Sequence, residues 1–218
     1  MIIKGLVTIN EIFYSVQGES TYAGQPCVFV RLTACDLRCT WCDTPYAFHE
    51  GRKRPINEVV AEVEKYGCQL VEVTGGEPLL QDAVYPLMSE LLSRGKTVLL
   101  ETGGHRSTER VPEPVITILD VKCPGSGEAD RMDWDNLNRL RPRDEVKFVV
   151  QDRADYDYAR GVIERFALAE RAAAIHLSPV HGVMDPKTLS EWVLADRLPV
   201  RVQLQIHKYI WPPDTRGV

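Results

Sequence analysis

From residue 56 onward, apolar positions alternate between three- or four-residue spacing and short unbroken runs, a pattern that predicts repeated strand and helix units around a parallel sheet. Ile56, Val59, Val60, Val63 and Tyr66 keep helical spacing after Pro55, and Gly67 stops it, so a helix with one buried face starts at 56. Aliphatic or β-branched runs at 70–74, 97–101, 115–121, 145–150, 174–177 and 200–205 read as strands. Helical stretches at 85–93, 155–165 and 186–195 fall among them, each bounded by Pro, Asp or Gly. Upstream, 9–14 and 28–32 add two strands; the consecutive Val28, Phe29 and Val30 mark the second as central. About six parallel strands are expected after the first segment. The stretch 124–133, with Gly, Ser and acidic residues, reads as a surface loop. No internal repeat or low-complexity tract interrupts the pattern, and residues 1–218 are expected to form a single α/β domain.

Composition narrows the classes. With 218 residues and 44% hydrophobic content the chain can bury a sizeable core. Twenty-six Lys and Arg against 31 Asp and Glu give a net charge of −5 without a basic run, which argues against nucleic acid as a partner. Residues 1–10 lack a long apolar core and a small-residue cleavage site, so a cytoplasmic protein without membrane attachment is expected. Six cysteines are too few for a disulfide scaffold, and the crowding of three between positions 35 and 42 points to metal ligation in a reducing compartment. Cys27, Cys68 and Cys123 are scattered and read as small buried apolar residues.

In parallel α/β architectures, ligands gather at the carboxyl ends of the strands, and the unusual residues of this chain fall there. Directly after 28–32 comes Cys35-Asp36-Leu37-Arg38-Cys39-Thr40-Trp41-Cys42, a C-x3-C-x2-C spacing. Three thiolates can hold three irons of a cubane and leave the fourth open for an exogenous ligand. The competing reading is a zinc site completed by His49, in a binding module without chemistry. After the next strand, Gly75 and Gly76 permit close backbone approach and Pro78 starts a helical region; taken alone, this is also an ordinary turn. Arg31 offers a planar fork matched to a carboxylate four residues before the first cysteine, or else an ordinary ion pair.

The cysteine spacing, Trp41 before the last Cys, and Thr74-Gly75-Gly76-Glu77-Pro78 together resemble the radical S-adenosylmethionine superfamily. Within it, the chain is similar over nearly its whole length to the 7-carboxy-7-deazaguanine synthase family. That likeness rests on 10–20 (NEIFYSVQGES), Arg31, Cys42-Asp43-Thr44, Glu101-Thr102-Gly103-Gly104, Asp120-Val121-Lys122, 177–182 (LSPVHG) and 205–209 (QIHKY). The resemblance implies a shortened, modified and incomplete TIM-like (β/α)6 barrel. It also implies ring contraction of 6-carboxy-5,6,7,8-tetrahydropterin to 7-carboxy-7-deazaguanine with loss of ammonia.

By position, the resemblance places a 4Fe-4S cluster on Cys35, Cys39 and Cys42 and puts Mg2+ on Thr44, a residue that could otherwise cap a turn before Pro45. S-adenosylmethionine is implied beside Trp41, Cys42, Asp43, Gly76, Asp120, Val121, Lys122 and Ser178, with Glu77 near its amino group. Substrate contacts fall on Val16, Gln17, Gly18, Glu19, Arg31, Thr74 and His207. Implied partners are the small pterin, a reductase or flavodoxin-type electron donor, and a second copy in a homodimer. An activase acting on a protein could share the cluster spacing, but Gln17, Arg31 and Thr74 suit a small carboxylated substrate. Many members carry Ser-Pro-Lys where this chain has Asp120-Val121-Lys122, and some end soon after the position of Tyr209.

Overall fold

Neighbouring side chains of a strand point to opposite faces, so a single strand can serve both a core and a site. The computed structural model, which describes residues 5–218, uses this alternation in most of its strands. Strands β1 (Leu6–Val16), β2 (Pro26–Leu32), β3 (Arg52–Pro55), β4 (Leu70–Gly75), β5 (Thr97–Thr102), β6 (Ile116–Asp120), β7 (Glu145–Val150), β8 (Ala174–Pro179) and β9 (Arg201–Val202) form one sheet, ordered β3-β1-β2-β4-β5-β6-β7-β8-β9. Neighbours from β2 through to β9 are parallel, whereas β1 runs antiparallel to both β2 and β3. Neither β3 nor β9 closes on the other, so the parallel run makes the incomplete barrel that the sequence implies.

The helices are α1 (Ile56–Lys65), α2 (Val84–Ser93), α3 (Asp135–Asn138), α4 (Arg153–Arg165), α5 (Leu168–Arg171), α6 (Pro186–Asp196) and α7 (His207–Ile210). One core half packs Val28, Val30, Val71 and Val73 against Val59 and Val63 of α1 and Leu87 and Leu91 of α2. The other packs Leu119, Val146, Phe148 and Val150 against Tyr156 and Ile163 of α4 and Leu189 of α6. Residues at the alternate positions, Arg31, Glu72, Thr74, Asp120 and Lys147, border a cleft instead. Cys27, Cys68 and Cys123 are buried, as expected of small apolar residues. Among the described residues no helix is long and apolar enough to cross a membrane.

The predicted helices and most strands agree with the structure to within two residues, and the discrepancies have local causes. Helix α4 begins two residues early because the Asp152 carboxylate accepts the Asp155 N–H at 3.0 Å, an N-cap. Strand β9 stops after Val202 instead of reaching 205. There the chain turns toward the β1–β2 connection, where the Gln203 side chain accepts the Ser20 N–H and donates to the Ser20 carbonyl, both at 2.8 Å. His207 consequently opens α7 and does not lie on a strand. Between β5 and β6 there is no helix; residues 103–115 cross as a loop. The stretch 124–133 is more than a surface loop: it forms two short 3-10 turns, and Ser126 and Glu128 accept backbone N–H groups from Thr40 (3.0 Å) and Arg38 (2.5 Å) in the cysteine segment.

Phe148 is fully buried in the second core half. Phe148→Ala is expected to lower unfolding free energy by about 3–5 kcal/mol, read as a lower urea midpoint with an unchanged m-value.

Candidate active site

The cleft has a volume of about 290 Å³ and lies over the carboxyl ends of β2, β4, β5 and β6. All but two of the residues that the resemblance assigns to the cluster, Mg2+, S-adenosylmethionine and substrate border it. The exceptions are Val121 and Ser178. Val121 sits one residue out of phase with Asp120 and Lys122, so it enters the helix-facing core and offers only its N–H, to the Lys147 carbonyl at 2.8 Å. Ser178 is buried in β8 and does not reach the cleft; its hydroxyl has no partner among the described residues.

The cysteine segment leaves β2 through Ala34, whose φ of 82° lies in the left-handed region. It is pinned by backbone bonds from Ala34 N–H to the Ala47 carbonyl (2.9 Å) and from Glu77 N–H to the Ala34 carbonyl (2.8 Å). Gly76 lies so close that an added Cβ would stand 2.3 Å from the Ala34 oxygen and 2.7 Å from the Cys35 Cβ, which explains glycine at that position. Cys35, Cys39 and Cys42 are free, half-buried thiols, and all three border the cleft. Burial pushes the Cys35 thiol up to about 11. Burial also raises Cys39, opposed by the nearby Lys122 ammonium.

The Leu37 N–H already points at the Cys35 sulfur, 3.4 Å away, the kind of amide donor that iron-sulfur thiolates use. No three His, Cys, Asp or Glu side chains among the described residues converge on a single ion. A cubane assigns each thiolate to a different iron, whereas tetrahedral zinc needs its ligands to converge, so the donor set fits the cluster better. His49 is exposed and lies outside the cleft. Thr44 takes the N-cap position of the short turn Pro45–Phe48 but makes no capping bond with its side chain, which leaves its hydroxyl available to an ion.

Elsewhere on the cleft lining, Arg31 donates through Nε to Glu11 Oε1 (2.8 Å), which also accepts from the Tyr46 hydroxyl (2.9 Å). Among the described residues Arg31 makes no other hydrogen bond, so the outer edge of its fork is open to a ligand. The β1–β2 connection brings in Gln17, which donates to Glu72, and Gly18, against which the His207 ring packs so tightly that a Cβ would meet Nδ1 at 2.0 Å. Thr74 donates to Glu101 Oε2 at 3.1 Å. Lys208 stands 3.3 Å from Asp43; burial would raise the Asp43 carboxyl, but Lys208, Lys147 and Arg31 outweigh it and hold the group below the usual range.

At the centre, the buried Lys147 ammonium reaches Glu19 and Glu101 at 2.5 Å each and Asp120 at 3.9 Å, and Asp120 in turn accepts from Lys122 at 2.7 Å. Burial disfavours a charged Lys147, but these carboxylates dominate and raise its pKa well above the ordinary value. The second Asp120 oxygen is buried without a partner, an acceptor left for a ligand. Burial, reinforced by the Glu101 and Glu19 carboxylates, pushes the Glu72 carboxyl well above the usual range. The sequence reading missed Glu72, Glu101 and Lys147 as site residues. Their signal was a charge at alternate positions of otherwise apolar parallel strands, where continuous hydrophobic runs are usual. It also left the C-terminal residues 213–218 without a role, and these border the cleft, with Arg216 stacked 3.8 Å over the Tyr46 ring and paired with Glu50 at 2.9 Å.

Residues 30–121 match the Radical SAM superfamily. A 7-carboxy-7-deazaguanine synthase of Koribacter versatilis is 48% identical, with 96% of this chain and 99% of the relative covered. One from Chlorobaculum tepidum is 47% identical, with 97% of each chain covered. Among solved structures, QueE from Escherichia coli matches 91% of this chain and 93% of its own with a TM-score of 0.76 at 22% identity, a likeness of fold.

Because the Glu72 carboxyl is raised in the folded chain, folding loses stability as pH rises from about 4.3, where an unfolded Glu ionises, toward that raised folded value. Glu72→Gln mimics the protonated form and is expected to melt with the parent near pH 4. It should pull ahead above that by up to about 1.4 kcal/mol per pH unit, about 3 °C in Tm for each kcal/mol. Thermal melts of the metal-free chain from pH 4.5 to 8 check this; a constant Tm difference would mean that Glu72 ionises normally.

Proposed function

The chain belongs to the 7-carboxy-7-deazaguanine synthases of the radical S-adenosylmethionine superfamily, and from that premise we propose how its cleft converts 6-carboxy-5,6,7,8-tetrahydropterin to 7-carboxy-7-deazaguanine with loss of ammonia. The observation that carries the proposal is the gathering on one cleft of three free thiols beside the Gly75-Gly76-Glu77 turn and of the open edge of Arg31 with Gln17 and Thr74. Cys35, Cys39 and Cys42 would hold the 4Fe-4S cluster, which with S-adenosylmethionine supplies one-electron reductive chemistry.

The remaining work is positioning. Trp41, Asp43, Gly76, Asp120 and Lys122 border the region next to the thiols, and we assign them to S-adenosylmethionine; the unpartnered Asp120 oxygen and the close backbone of Gly76 support this. Arg31 pairs with the pterin carboxylate through the fork edge that Glu11 leaves free, and Glu11 fixes the plane of that fork. Thr44 supplies a hydroxyl to Mg2+ shared with the same carboxylate. Val16, Gln17 and Gly18 meet the pterin ring along the β1–β2 connection, with Glu19, Thr74 and His207 around it. The Phe13 and Phe29 rings, stacked at 4.8 Å, give this wall an apolar face that keeps water from the reacting carbon.

The enzyme requires a reductant, for which we propose a reductase or flavodoxin-type donor in the cytoplasm. Exposed apolar side chains at Val183, Tyr209 and Ile210 support a subunit contact in a homodimer.

The decisive experiment is an anaerobic assay of the reconstituted chain with S-adenosylmethionine, Mg2+, reductant and the pterin, following the deazaguanine product by mass. Cys39→Ala is expected to lose both bound iron and product; retention of S-adenosylmethionine cleavage would sink the cluster assignment. Arg31→Ala is expected to raise KM for the pterin by about 10- to 100-fold, the scale of one hydrogen bond to a charged group, and an unchanged KM would remove Arg31 from the substrate.

A further inference from the structure

His105, on the loop after β5, lies outside every role assigned so far. Its side chain is only 2% exposed, and its two ring nitrogens face Asp36 of the cysteine segment and Glu77 of the turn after β4. Nε2 is 2.6 Å from Asp36 Oδ1, in the cysteine segment beside Cys35. Nδ1 is buried without a hydrogen-bond partner, 3.7 Å from Glu77 Oε2. Glu77 is itself fully buried, and its carboxylate is fixed by the Leu79 N–H (2.9 Å), the Gly103 N–H (2.9 Å) and the Thr102 hydroxyl. One end of the imidazole therefore meets a rigid anchor and the other a segment with no regular secondary structure.

We propose that His105 is a positioning residue that stands between the cysteine segment and the Glu77 turn, setting the thiols relative to that turn before a ligand arrives. Asp36 also pairs with Arg106 (2.5 Å) and Arg131 (3.2 Å), but those arginines are nearly half exposed, where ion pairs contribute little. His105 is the shielded partner of that carboxylate, and a charge-assisted bond with less access to water is correspondingly stronger. The outer end of the segment is held separately by Glu128 and Ser126 and its start by the backbone bonds of Ala34, so loss of His105 loosens the stretch between them around Asp36.

The proposal rests on the cluster assignment above for its consequence but not for its geometry, so its first test uses the metal-free full-length chain. Hydrogen exchange of the amides at 36–42 is expected to accelerate about tenfold in His105→Ala while β7 and β8 keep their protection. His105→Gln, whose amide can still donate to Asp36, should stay within about threefold of the parent. On reconstituted protein, the Kd for S-adenosylmethionine should rise about tenfold in the alanine variant and recover in the glutamine variant. Unchanged exchange at 36–42 overturns the proposal, as does equal acceleration in β7 and β8, which marks general loosening. A loosened segment with unchanged S-adenosylmethionine affinity overturns the link between the thiols and the turn. Where the alanine variant fails to fold, His105→Asn, which keeps the amide but not its reach, decides by the same readouts. A tight segment in a chain that yields no product would instead reject the proposed function.

Discussion

The Lys147 ammonium is the constraint around which the site is organised. An isolated charge buried in a sheet face costs several kcal/mol, roughly, unless partners surround it, and each partner comes from a different part of the chain. Glu19 arrives from the β1–β2 connection, Glu101 from β5 and Asp120 from the end of β6. Satisfying one cation therefore fixes the relative positions of the pterin-facing connection and the strand ends proposed to hold S-adenosylmethionine. Burial in the same neighbourhood raises the Glu72 carboxyl, which disfavours a further negative charge beside Glu19 and Glu101.

The cysteine segment is held by contacts of a different kind. It has almost no secondary structure of its own, and its position follows from the backbone packing of Gly76 on Ala34 and Cys35, from the carbonyl of Ser126 and from the carboxylates of Glu128 and Asp36. Loops that carry function are usually positioned by a rigid scaffold, and here the scaffold is the pair of strand ends β4 and β5 with the turn between β6 and α3. The glycines therefore serve the thiols as much as any ligand, since a side chain at Gly76 would push Cys35 out of line.

How much could be read without the structure differs sharply between elements. Helix α1 and strand β7 announced themselves by periodicity and by clean stops, because the apolar rows that form them are local. Strand β9 and the placement of His207 did not, because they depend on where Gln203 and Gln205 find partners more than 180 residues away. Val121 was misplaced for a smaller reason: adjacent residues of a strand serve opposite faces, and a three-residue motif at a strand end inevitably includes one that points into the core.

The sequence by itself determined the α/β repeat, the crowding of three thiols after one strand and the family, since spacing along the chain and the order of strand ends are local or ordinal properties. Only the tertiary structure decided that burial raises the Glu72 carboxyl, that Lys147 is shared among three carboxylates, that Arg31 has one edge occupied by Glu11, and that His105 stands between Asp36 and Glu77. Those facts are set by burial and by distance through space, and a charged side chain takes its chemistry from neighbours that the linear chain does not name.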